Sequence, residues 1–414
     1  MIPLSLAEVA ELAPGRLATA AWAGEITGVQ VDSRRIVEGD LFVAVGAGAD
    51  FCRHAFARGA AATLVPDDAF GALAALGAAV RARSAARVAA ITGSTGKTST
   101  KDILAAICEP RARTVAAEAS YNNELGVPLT LCRLEPDTEI CIVELAMRGL
   151  GQIAALAEPA RPDVGVITND GPAHLELVGS LEAVIRAKSE LLEALPPGGV
   201  AVVPDDFRVE REDLVVRRFG EPDARVADDR TTIAFEGRDV DFPFAARHQA
   251  RNALAALHAA SALGLEVEGP VDVTFNRWRG EELELPGGGL LINDCYNANP
   301  VSMRAALEHL AERAAGRRTV AVLGDMAELG PDAPRYHLEV GRLLQELGID
   351  ILCATGPLAE NYLAAGLLGM KWNLEGIDIE WLQEELAPGD CVLVKASRAM
   401  GLEAVVEVLT PVRT

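Results

Sequence analysis

The sequence contains 414 residues, of which 50% are hydrophobic, and it carries a formal net charge of -22. At ~150 residues per domain, this length predicts two to four domains. The acidic balance argues against nonspecific binding to nucleic acid and to anionic membranes, because both need clustered Lys and Arg. We therefore expect no nucleic-acid partner, and an anionic substrate has to be met by local Arg, Lys, backbone amides or metal.

The N-terminus and the cysteines indicate the compartment. The first segment carries Glu8 and Glu11 and no basic leader, which favours a short amphipathic helix over a signal peptide. No stretch reaches ~18 uninterrupted apolar residues, so we expect no membrane span. The seven cysteines form no C-x-x-C pair and lie mostly in apolar runs, which is typical of buried thiols in a reducing compartment. We expect a cytoplasmic protein, and a monomer.

Residues 1–83 are predicted to form a small α/β N-terminal domain. Strand patterns occur at 26–32, 41–45 and 62–65, and an Ala-rich helical pattern covers 69–83. This part is too small to carry the whole function, and we interpret it as an accessory binding domain.

Residues 84–284 alternate strand and helix patterns, which predicts a central domain with a mostly parallel sheet. The predicted strands lie at 87–92, 139–145, 163–168 and 200–203. The predicted helices lie at 98–108, 181–195 and 247–263. The charged segment 205–241 is predicted to form small antiparallel strands or loops.

Residues 285–414 form a second predicted α/β block, and the Pro-Gly-Gly-Gly run at 286–289 is the expected boundary. The predicted strands lie at 290–294, 319–324, 349–355 and 391–395. The predicted helices lie at 302–315, 335–347, 381–386 and 402–409.

The most specific motif is I-T-G-S-T-G-K-T-S-T at residues 91–100, where a strand turns sharply into a helix. Backbone amides and a helix N-terminus then point at phosphate oxygens, Lys97 bridges the outer phosphates, and the Thr98 hydroxyl holds Mg²⁺. The spacing is shorter than the common G-x-x-x-x-G-K-[ST], and the alternative is a chance G-K-T turn. The predicted phosphate-binding residues are Gly93, Ser94, Thr95, Gly96, Lys97, Thr98 and Ser99.

Three further residues are candidates for metal binding. Glu144 ends an apolar strand, where ligand crevices form, although a solvated strand end fits this position equally well. His174 follows another strand end, and a lone loop His is usually structural or solvated. Lys188 shares a helix face with apolar residues, and its spacing alone slightly favours a side chain that reaches out to solvent.

The phosphate loop resembles the ATP loop of the Mur ligases and of their folylpolyglutamate synthase relatives. This resemblance implies an α/β protein of three domains: the N-terminal domain, a central P-loop parallel-sheet ATPase domain and a C-terminal Rossmann-like domain. It also implies that Thr98, Glu144 and His174 are Mg²⁺ ligands. Lys188, within R-A-K, is implied to be carbamylated and to bind a second Mg²⁺.

The resemblance extends to the nucleotide contacts. Asn252, in H-Q-A-R-N, is implied to hydrogen-bond adenine, and Asp294 is implied to contact the nucleotide. An Arg of the segment R-W-R-G-E is implied to reach the ATP phosphates, and both Arg277 and Arg279 fit this position.

The string D-C-Y-N-A-N-P at 294–300 resembles the signature of those Mur ligases that add D-alanyl-D-alanine, and G-D-M-A-E-L-G at 324–330 supports the same choice. Arg53 and Ala396 depart from family patterns, each standing where Gly is usual. The residues implied to contact substrates are Asp32, Ser33, Arg34, Asn122, Asn123, Tyr296, Asn297, Asn299, Lys395, Ser397 and Arg398.

The implied activity is an ATP-dependent amide ligase that adds D-alanyl-D-alanine to UDP-N-acetylmuramoyl-tripeptide through an acyl phosphate. The implied catalytic residues are Lys97, Lys188 and His174, with ATP and two Mg²⁺ ions. The alternatives are another Mur-type or folylpolyglutamate ligase, a P-loop kinase or switch NTPase, and a nucleotide-binding partner protein without chemistry.

Overall fold

The computed structural model describes residues 1–20, 24–173, 175–227, 229–363, 370–373 and 376–410. His174, predicted as a metal ligand and catalytic residue, lies outside the described residues. The described strands form four sheets, two of six strands and two of four, with helices between the strands.

The N-terminal sheet has the strand order β1-β4-β3-β2, with β1 antiparallel to β4 and the other neighbours parallel. Its strands are β1 (Gly15–Thr19), β2 (Gly28–Gln30), β3 (Asp40–Val43) and β4 (Ala62–Pro66). Its helices are α1 (Leu6–Leu12), α2 (Cys52–Ala57) and α3 (Ala69–Arg83), with a 3₁₀ helix at Gly46–Phe51.

The predicted first helix is confirmed, and it begins at a capping box in which the side chains of Ser5 and Glu8 each accept the other's backbone N–H. Strand β1 was not predicted, because its side chains are almost all exposed and give no alternating pattern. Helix α3 packs against the central domain, where an added Cβ at Gly77 would lie 3.0 Å from Pro128 Cα.

The central sheet is parallel throughout, in the order β10-β9-β8-β5-β7-β6. Its strands are β5 (Arg87–Thr92), β6 (Thr114–Ala116), β7 (Ile140–Glu144), β8 (Val164–Ile167), β9 (Val200–Pro204) and β10 (Val215–Phe219). The helices of this domain are α4 (Lys97–Cys108), α5 (Gly126–Leu131), α6 (Gln152–Ala160), α7 (Leu175–Val178), α8 (Leu181–Glu193) and α9 (Arg247–Ala262).

Segment 205–241 contains one strand that the sequence prediction assigned wrongly. Strand β10 runs parallel to β9 and extends the central sheet, whereas small antiparallel strands or loops were expected. It lies at the edge of the sheet, and its sequence V-V-R-R-F has two adjacent arginines and no apolar alternation, so the pattern did not reveal it. The rest of the segment is confirmed as a small sheet of β11 (Ala224–Ala227), β12 (Arg230–Phe235), β13 (Arg238–Phe242) and the later β14 (Gly269–Pro270).

The C-terminal sheet has the order β15-β16-β20-β17-β18-β19, with only β15 antiparallel to its neighbour. Its strands are β15 (Glu281–Leu285), β16 (Gly289–Asn293), β17 (Thr319–Leu323), β18 (Ile351–Thr355), β19 (Met370–Asn373) and β20 (Cys391–Lys395). Its helices are α10 (Pro300–Ala314), α11 (Ala333–Glu346), α12 (Glu360–Leu363), α13 (Ile379–Glu385) and α14 (Glu403–Leu409), with 3₁₀ helices at Gly330–Asp332 and Arg398–Met400.

The run at 286–289, expected to be a domain boundary, is the turn of the hairpin between β15 and β16. Both strands belong to the C-terminal sheet, so a boundary at 285 would divide one hairpin. We propose that the C-terminal domain begins between 270 and 281, and that the N-terminal domain ends between α3 and β5.

The predicted three-domain α/β fold class is confirmed. Six of the seven cysteines are buried free thiols, as expected from their apolar surroundings. Among the described residues, no helix combines the length and the apolar character that crossing a membrane requires.

Candidate active site

The phosphate loop connects β5 to α4, and two glycines make its turn possible. Gly93 has a φ of +147° and Gly96 a φ of +76°, both unfavourable for other residues. A Cβ at Gly93 would lie 1.9 Å from Thr168 Oγ1, and a Cβ at Gly96 would lie 2.4 Å from Asn252 Oδ1. Lys97 Nζ donates to the Gly93 carbonyl at 2.6 Å, so the lysine folds back over the loop.

The Gly96→Ala variant is expected to unfold at lower denaturant concentration than the wild type. The left-handed backbone of a non-glycine residue costs about 1–2 kcal/mol, and the added methyl would also collide with Asn252. The measurement is chemical denaturation, together with calorimetric titration with ADP, which should bind more weakly. Unchanged stability and ADP affinity would contradict this reading of the loop, and Gly237→Ala, at φ +78° with open space around it, isolates the backbone cost.

The end of β8 clamps the loop from the side. Asn169 Nδ2 donates to Thr95 Oγ1 at 2.7 Å, and Asn169 Oδ1 accepts from the Thr95 N–H at 3.1 Å. Thr168 Oγ1 donates to the Thr95 carbonyl. The loop is therefore held in place by the adjacent strand, because β5 and β8 are neighbours in the sheet.

Glu144 ends β7, next to the phosphate loop, and is fully buried. The Thr98 hydroxyl donates to Glu144 Oε2 at 2.8 Å, and Asn122 Nδ2 donates to Oε1 at 2.8 Å. A solvated strand end, one of the two sequence interpretations, is therefore wrong. These two neutral donors fix the orientation of the buried carboxylate beside the phosphate loop.

Lys188 lies on α8 with 1% of its surface exposed, so the interpretation of a side chain that reaches solvent is wrong. Its Nζ donates to Ser94 Oγ, which in turn donates to the Gly171 carbonyl. Burial, followed by the nearby charge of Lys97, lowers the pKa of the Lys188 ammonium to about 7. In a substantial fraction of the molecules, Lys188 is therefore a neutral amine near pH 7.

One cavity of ≈ 870 Å³ joins the phosphate loop to the C-terminal domain. Asn299 caps α10, and its Nδ2 lies 3.4 Å from the Ser94 carbonyl, so it links the two domains at this point. The sequence-predicted residues that line the cavity are Ser94, Thr95, Gly96, Lys97, Thr98, Ser99, Asn122, Asn123, Glu144, Asn252, Arg279, Asp294, Tyr296, Asn297, Asn299 and Lys395.

The buried Lys395 organises the far wall of the cavity. Its Nζ donates to Asp294 Oδ2 at 2.5 Å and to the Asn297 carbonyl at 2.9 Å. Ser397 and Arg398 do not line the cavity. The Ser397 hydroxyl accepts the Ala327 N–H at 2.8 Å, and Arg398 stacks on Trp278 and pairs with Glu403.

Arg279 rather than Arg277 faces the cavity. Arg279 Nη2 donates to Ser120 Oγ at 3.1 Å, and its guanidinium stacks on Tyr296 at 4.0 Å from the ring centre. Arg277 is exposed and does not line the cavity. At the other end, Asn252 Nδ2 donates to Gln249 Oε1 at 3.0 Å, beside Gly96.

The loop of Asp32, Ser33 and Arg34 lies outside this cavity. Asp32 accepts from the backbone and side chain of Arg34, and Ser33 Oγ lies 2.9 Å from His54 Nδ1. The next residue, Arg35, donates to Glu118 at 2.9 Å. The N-terminal loop is thereby tied to the segment that leads to Asn122.

The cavity is more basic than the chain around it. Its described lining residues include seven Lys or Arg and five Asp or Glu, in a protein of net charge -22. Such a local excess of positive charge suits a polyanion. No group of three or more His, Cys, Asp or Glu residues able to hold a metal occurs among the described residues, which do not include His174.

Comparisons with known proteins agree on one family. The Mur ligase middle domain matches residues 91–260, and the Mur ligase glutamate ligase domain matches residues 278–398. The chain belongs to the Mur ligase family. The resemblance inferred from the phosphate loop is confirmed, and this Mur ligase is an ATP-dependent enzyme that forms C–N bonds.

Its relatives match over nearly the whole length of this Mur ligase. The UDP-N-acetylmuramoyl-tripeptide--D-alanyl-D-alanine ligase of Synechocystis is 35% identical over 93% of this chain and 92% of the relative. The enzyme of the same name from Escherichia coli is 33% identical over 99% of both.

Solved structures agree with this assignment. A crystal structure of MurF from Acinetobacter baumannii matches with a TM-score of 0.86 and 29% identity, over 99% of both chains. That of MurF ligase from Thermotoga maritima in complex with ADP matches with a TM-score of 0.78 and 27% identity, over 92% of this chain and 97% of that one.

Sequence reasoning missed two kinds of residue in this Mur ligase. Asn169 clamps the phosphate loop, and its position directly after a strand was an available signal. Gln249 and Arg148 line the cavity, but nothing in their local sequence distinguishes them from other polar residues on helices and loops.

Proposed function

We propose that this Mur ligase joins D-alanyl-D-alanine to UDP-N-acetylmuramoyl-tripeptide with ATP. The observation that carries the proposal is the contact between Asn299 and the Ser94 carbonyl, which brings the D-C-Y-N-A-N-P segment against the phosphate loop. The names of the full-length relatives support the same substrates. The ADP held by the Thermotoga maritima structure supports the nucleotide.

ATP binding is assigned to the loop and its neighbours. In this proposal the amides of Gly93–Ser99 surround the β- and γ-phosphates, and Lys97 leaves the Gly93 carbonyl to contact them. Arg279 approaches the phosphates from the hinge. Asn252 lies beside Gly96, where its side-chain amide can recognise adenine. Asp294 lines the wall of the cavity that the C-terminal domain forms, and it contacts the nucleotide from there.

The residues around Glu144 fit Mg²⁺. One buried carboxylate beside the Thr98 hydroxyl is a small oxygen donor set, and Mg²⁺ typically takes one or two carboxylates and fills its other positions with phosphate oxygens and waters. Thr98 and Glu144 would hold the first ion. When bound, Mg²⁺ would neutralise charge on the phosphate oxygens.

Lys188 is proposed to act as a carbamate. Its neutral amine nitrogen attacks CO₂, an N–C bond forms, and one amine proton is released to water. The lowered pKa of about 7 supplies the neutral amine that this reaction needs. The resulting carboxylate and His174 would hold a second Mg²⁺.

The reaction proceeds in two steps. A carboxylate oxygen of the tripeptide attacks the γ-phosphorus, ADP leaves, and an acyl phosphate forms. The amine of D-alanyl-D-alanine then attacks the acyl carbon, the C–N bond forms, the bond to the phosphate oxygen breaks, and phosphate leaves with one proton of the amine. Lys97 and Arg279 offset the charge that develops on the oxygens, and the residues of both domains align the reactants.

The two substrates are proposed to approach from opposite sides. Asp32, Ser33 and Arg34 lie at the N-terminal side, and Arg35 connects their loop to the segment that carries Asn122 and Asn123. The UDP-linked peptide would extend along this path. The dipeptide would lie by the C-terminal domain, near Tyr296, Asn297, Lys395, Ser397 and Arg398.

A coupled ADP-release assay tests the function. ADP should appear only when a UDP-muramoyl-tripeptide and D-alanyl-D-alanine are both present. Release that requires L-glutamate with a folate or with a shorter muramoyl peptide would favour another ligase of the family. Release without any amine acceptor would favour a kinase or an NTPase, and no release would favour a partner protein without chemistry.

We further propose a cytoplasmic monomer. The reaction needs ATP, which is available in the cytoplasm, and one chain supplies both walls of the described cavity. Light scattering after gel filtration measures the mass in solution. The mass of a dimer would contradict the proposed monomer.

The Asn122→Ala variant is expected to need more Mg²⁺ than the wild type. Asn122 orients Glu144 without being a proposed metal ligand, and loss of such a support typically lowers metal affinity about 10–100-fold. The measurement is ligase rate against Mg²⁺ concentration. A variant with an unchanged Mg²⁺ requirement would contradict the role, and Asn361→Ala, which removes a side-chain amide that bonds to Leu358 far from Glu144, is the control.

A further inference from the structure

Lysine is rare in this protein and is concentrated at the site. Only five of the 38 Lys and Arg residues are lysines. Lys97 and Lys395 line the cavity described above, Lys188 bonds to Ser94 of the phosphate loop, and Lys371 is partly exposed on β19. The fifth, Lys101, is 3% exposed and does not line the cavity, so neither nucleotide binding nor surface charge accounts for it.

Lys101 makes two hydrogen bonds and one ion pair inside the protein. Its Nζ donates to the carbonyls of Ala117 and Ala119 at 2.9 Å and 3.1 Å, and it pairs with Asp102 Oδ1 at 2.7 Å. Ala119 has a left-handed φ of +45°, which alanine adopts rarely. The lysine therefore holds the start of the segment at 117–123 in a conformation that the segment does not favour by itself.

Segment 117–123 contacts all three domains. Glu118 accepts from Arg35 of the N-terminal domain at 2.9 Å. Ser120 accepts from Arg279 at the hinge to the C-terminal domain. Asn122 donates to Glu144 at the end of β7. A displacement of this segment would disturb the path of one substrate and the metal site together.

Asp102 holds the second connection. Its carboxylate accepts from the Asn276 backbone N–H at 3.1 Å and from Asn276 Nδ2 at 2.9 Å. Asn276 lies three residues before Arg279, so the same helix that begins at the phosphate loop also fixes the hinge segment 276–279. Adjacent residues of α4 thus reach two separate segments.

We propose that Lys101 and Asp102 are a positioning pair that fixes segments 117–123 and 276–279 against the phosphate-binding helix. The pair acts through Asn122 and Arg279 and touches no substrate. Its effect on turnover rests on the proposed ligase function, whereas its effect on the two segments does not.

Hydrogen–deuterium exchange of the unliganded enzyme tests the positioning directly. Lys101→Met should speed exchange across 117–123 by at least about tenfold, because two carbonyls lose their donor and the segment opens more often. Lys101→Arg should restore slow exchange, since a cation with several donors remains. Lys371→Met is the matched control and should leave this segment unchanged.

Lys101→Gln covers the case in which the methionine variant does not fold. It is neutral but keeps an amide donor, so it should fold and show a smaller increase in exchange over the same residues. Asp102→Ala should instead loosen 276–279 first. Unchanged exchange in all of these folded variants, or faster exchange spread evenly over the whole protein, would overturn the proposal.

Kinetics separate positioning from a general loss of structure. In Lys101→Met, kcat should fall by at least about tenfold, because misplacing reacting groups is costly, while the Kd for ADP stays within about threefold. Equal losses of ADP affinity and turnover would overturn the proposal. A wild type that fails to turn over the proposed substrates would refute the ligase assignment alone, since the exchange results would still decide the role of Lys101.

Discussion

The Lys97→Met variant is expected to lose at least about 10³-fold in ligase turnover, as enzymes that transfer phosphoryl groups do when a phosphate-contacting cation is removed. The side chain folds over the loop onto the Gly93 carbonyl, and the neighbouring positive charges are Lys188 and Arg279. Its loss removes the charge nearest the proposed γ-phosphate. Methionine retains the length of the side chain, so the loop itself should persist.

The measurement is steady-state ADP release with both proposed substrates. Lys371→Met is again the control, because it removes a lysine that is paired with Asp378 away from the cavity. Turnover of Lys97→Met within tenfold of the wild type, with normal folding, would contradict the role of this lysine.

The Lys188→Ala variant is expected to lose on the order of 10³-fold in turnover, because it removes a group that would hold charge in the transition state. Short carboxylic acids should restore part of the activity by occupying the space of the missing carbamate. Lys188→Arg separates the two possible roles of the lysine. Arginine keeps the positive charge but cannot form the carbamate, so it should be as inactive as alanine and should not be rescued.

The carbamate also predicts a dependence on pH and CO₂. The reactive form of Lys188 is the neutral amine, and with a pKa of about 7 the amine is protonated progressively as the pH falls below that value. Carbamate should therefore accumulate as the pH rises through 7 and disappear below it. Carbon-13 NMR of the wild type equilibrated with labelled bicarbonate would detect it. The absence of such a signal, or a fully active Lys188→Arg variant, would exclude it.

Most of the regular structure could be predicted from the sequence. Helix α3 and strands β5 and β20 have the predicted bounds, because each is a strong pattern with clear breaks. The errors occur where side chains are exposed or where a turn resembles a linker. Strand β10, V-V-R-R-F, has no alternating pattern, and a Pro-Gly-Gly-Gly run can form the turn of a hairpin as readily as a connection between domains.

The sequence by itself determined the phosphate loop, because the φ angles of Gly93 and Gly96 and the following helix are local properties of a few adjacent residues. It also determined the family, because short sequence motifs that occur in a given order along the chain are sufficient to identify it. Burial and pairing were decided only by the tertiary structure. Lys188 and Lys101 are charged residues on amphipathic helices, and spacing cannot say whether such a side chain reaches water or a partner 94 or 16 residues away. That outcome depends on which segments the parallel sheet brings to the ends of β5, β7 and β8.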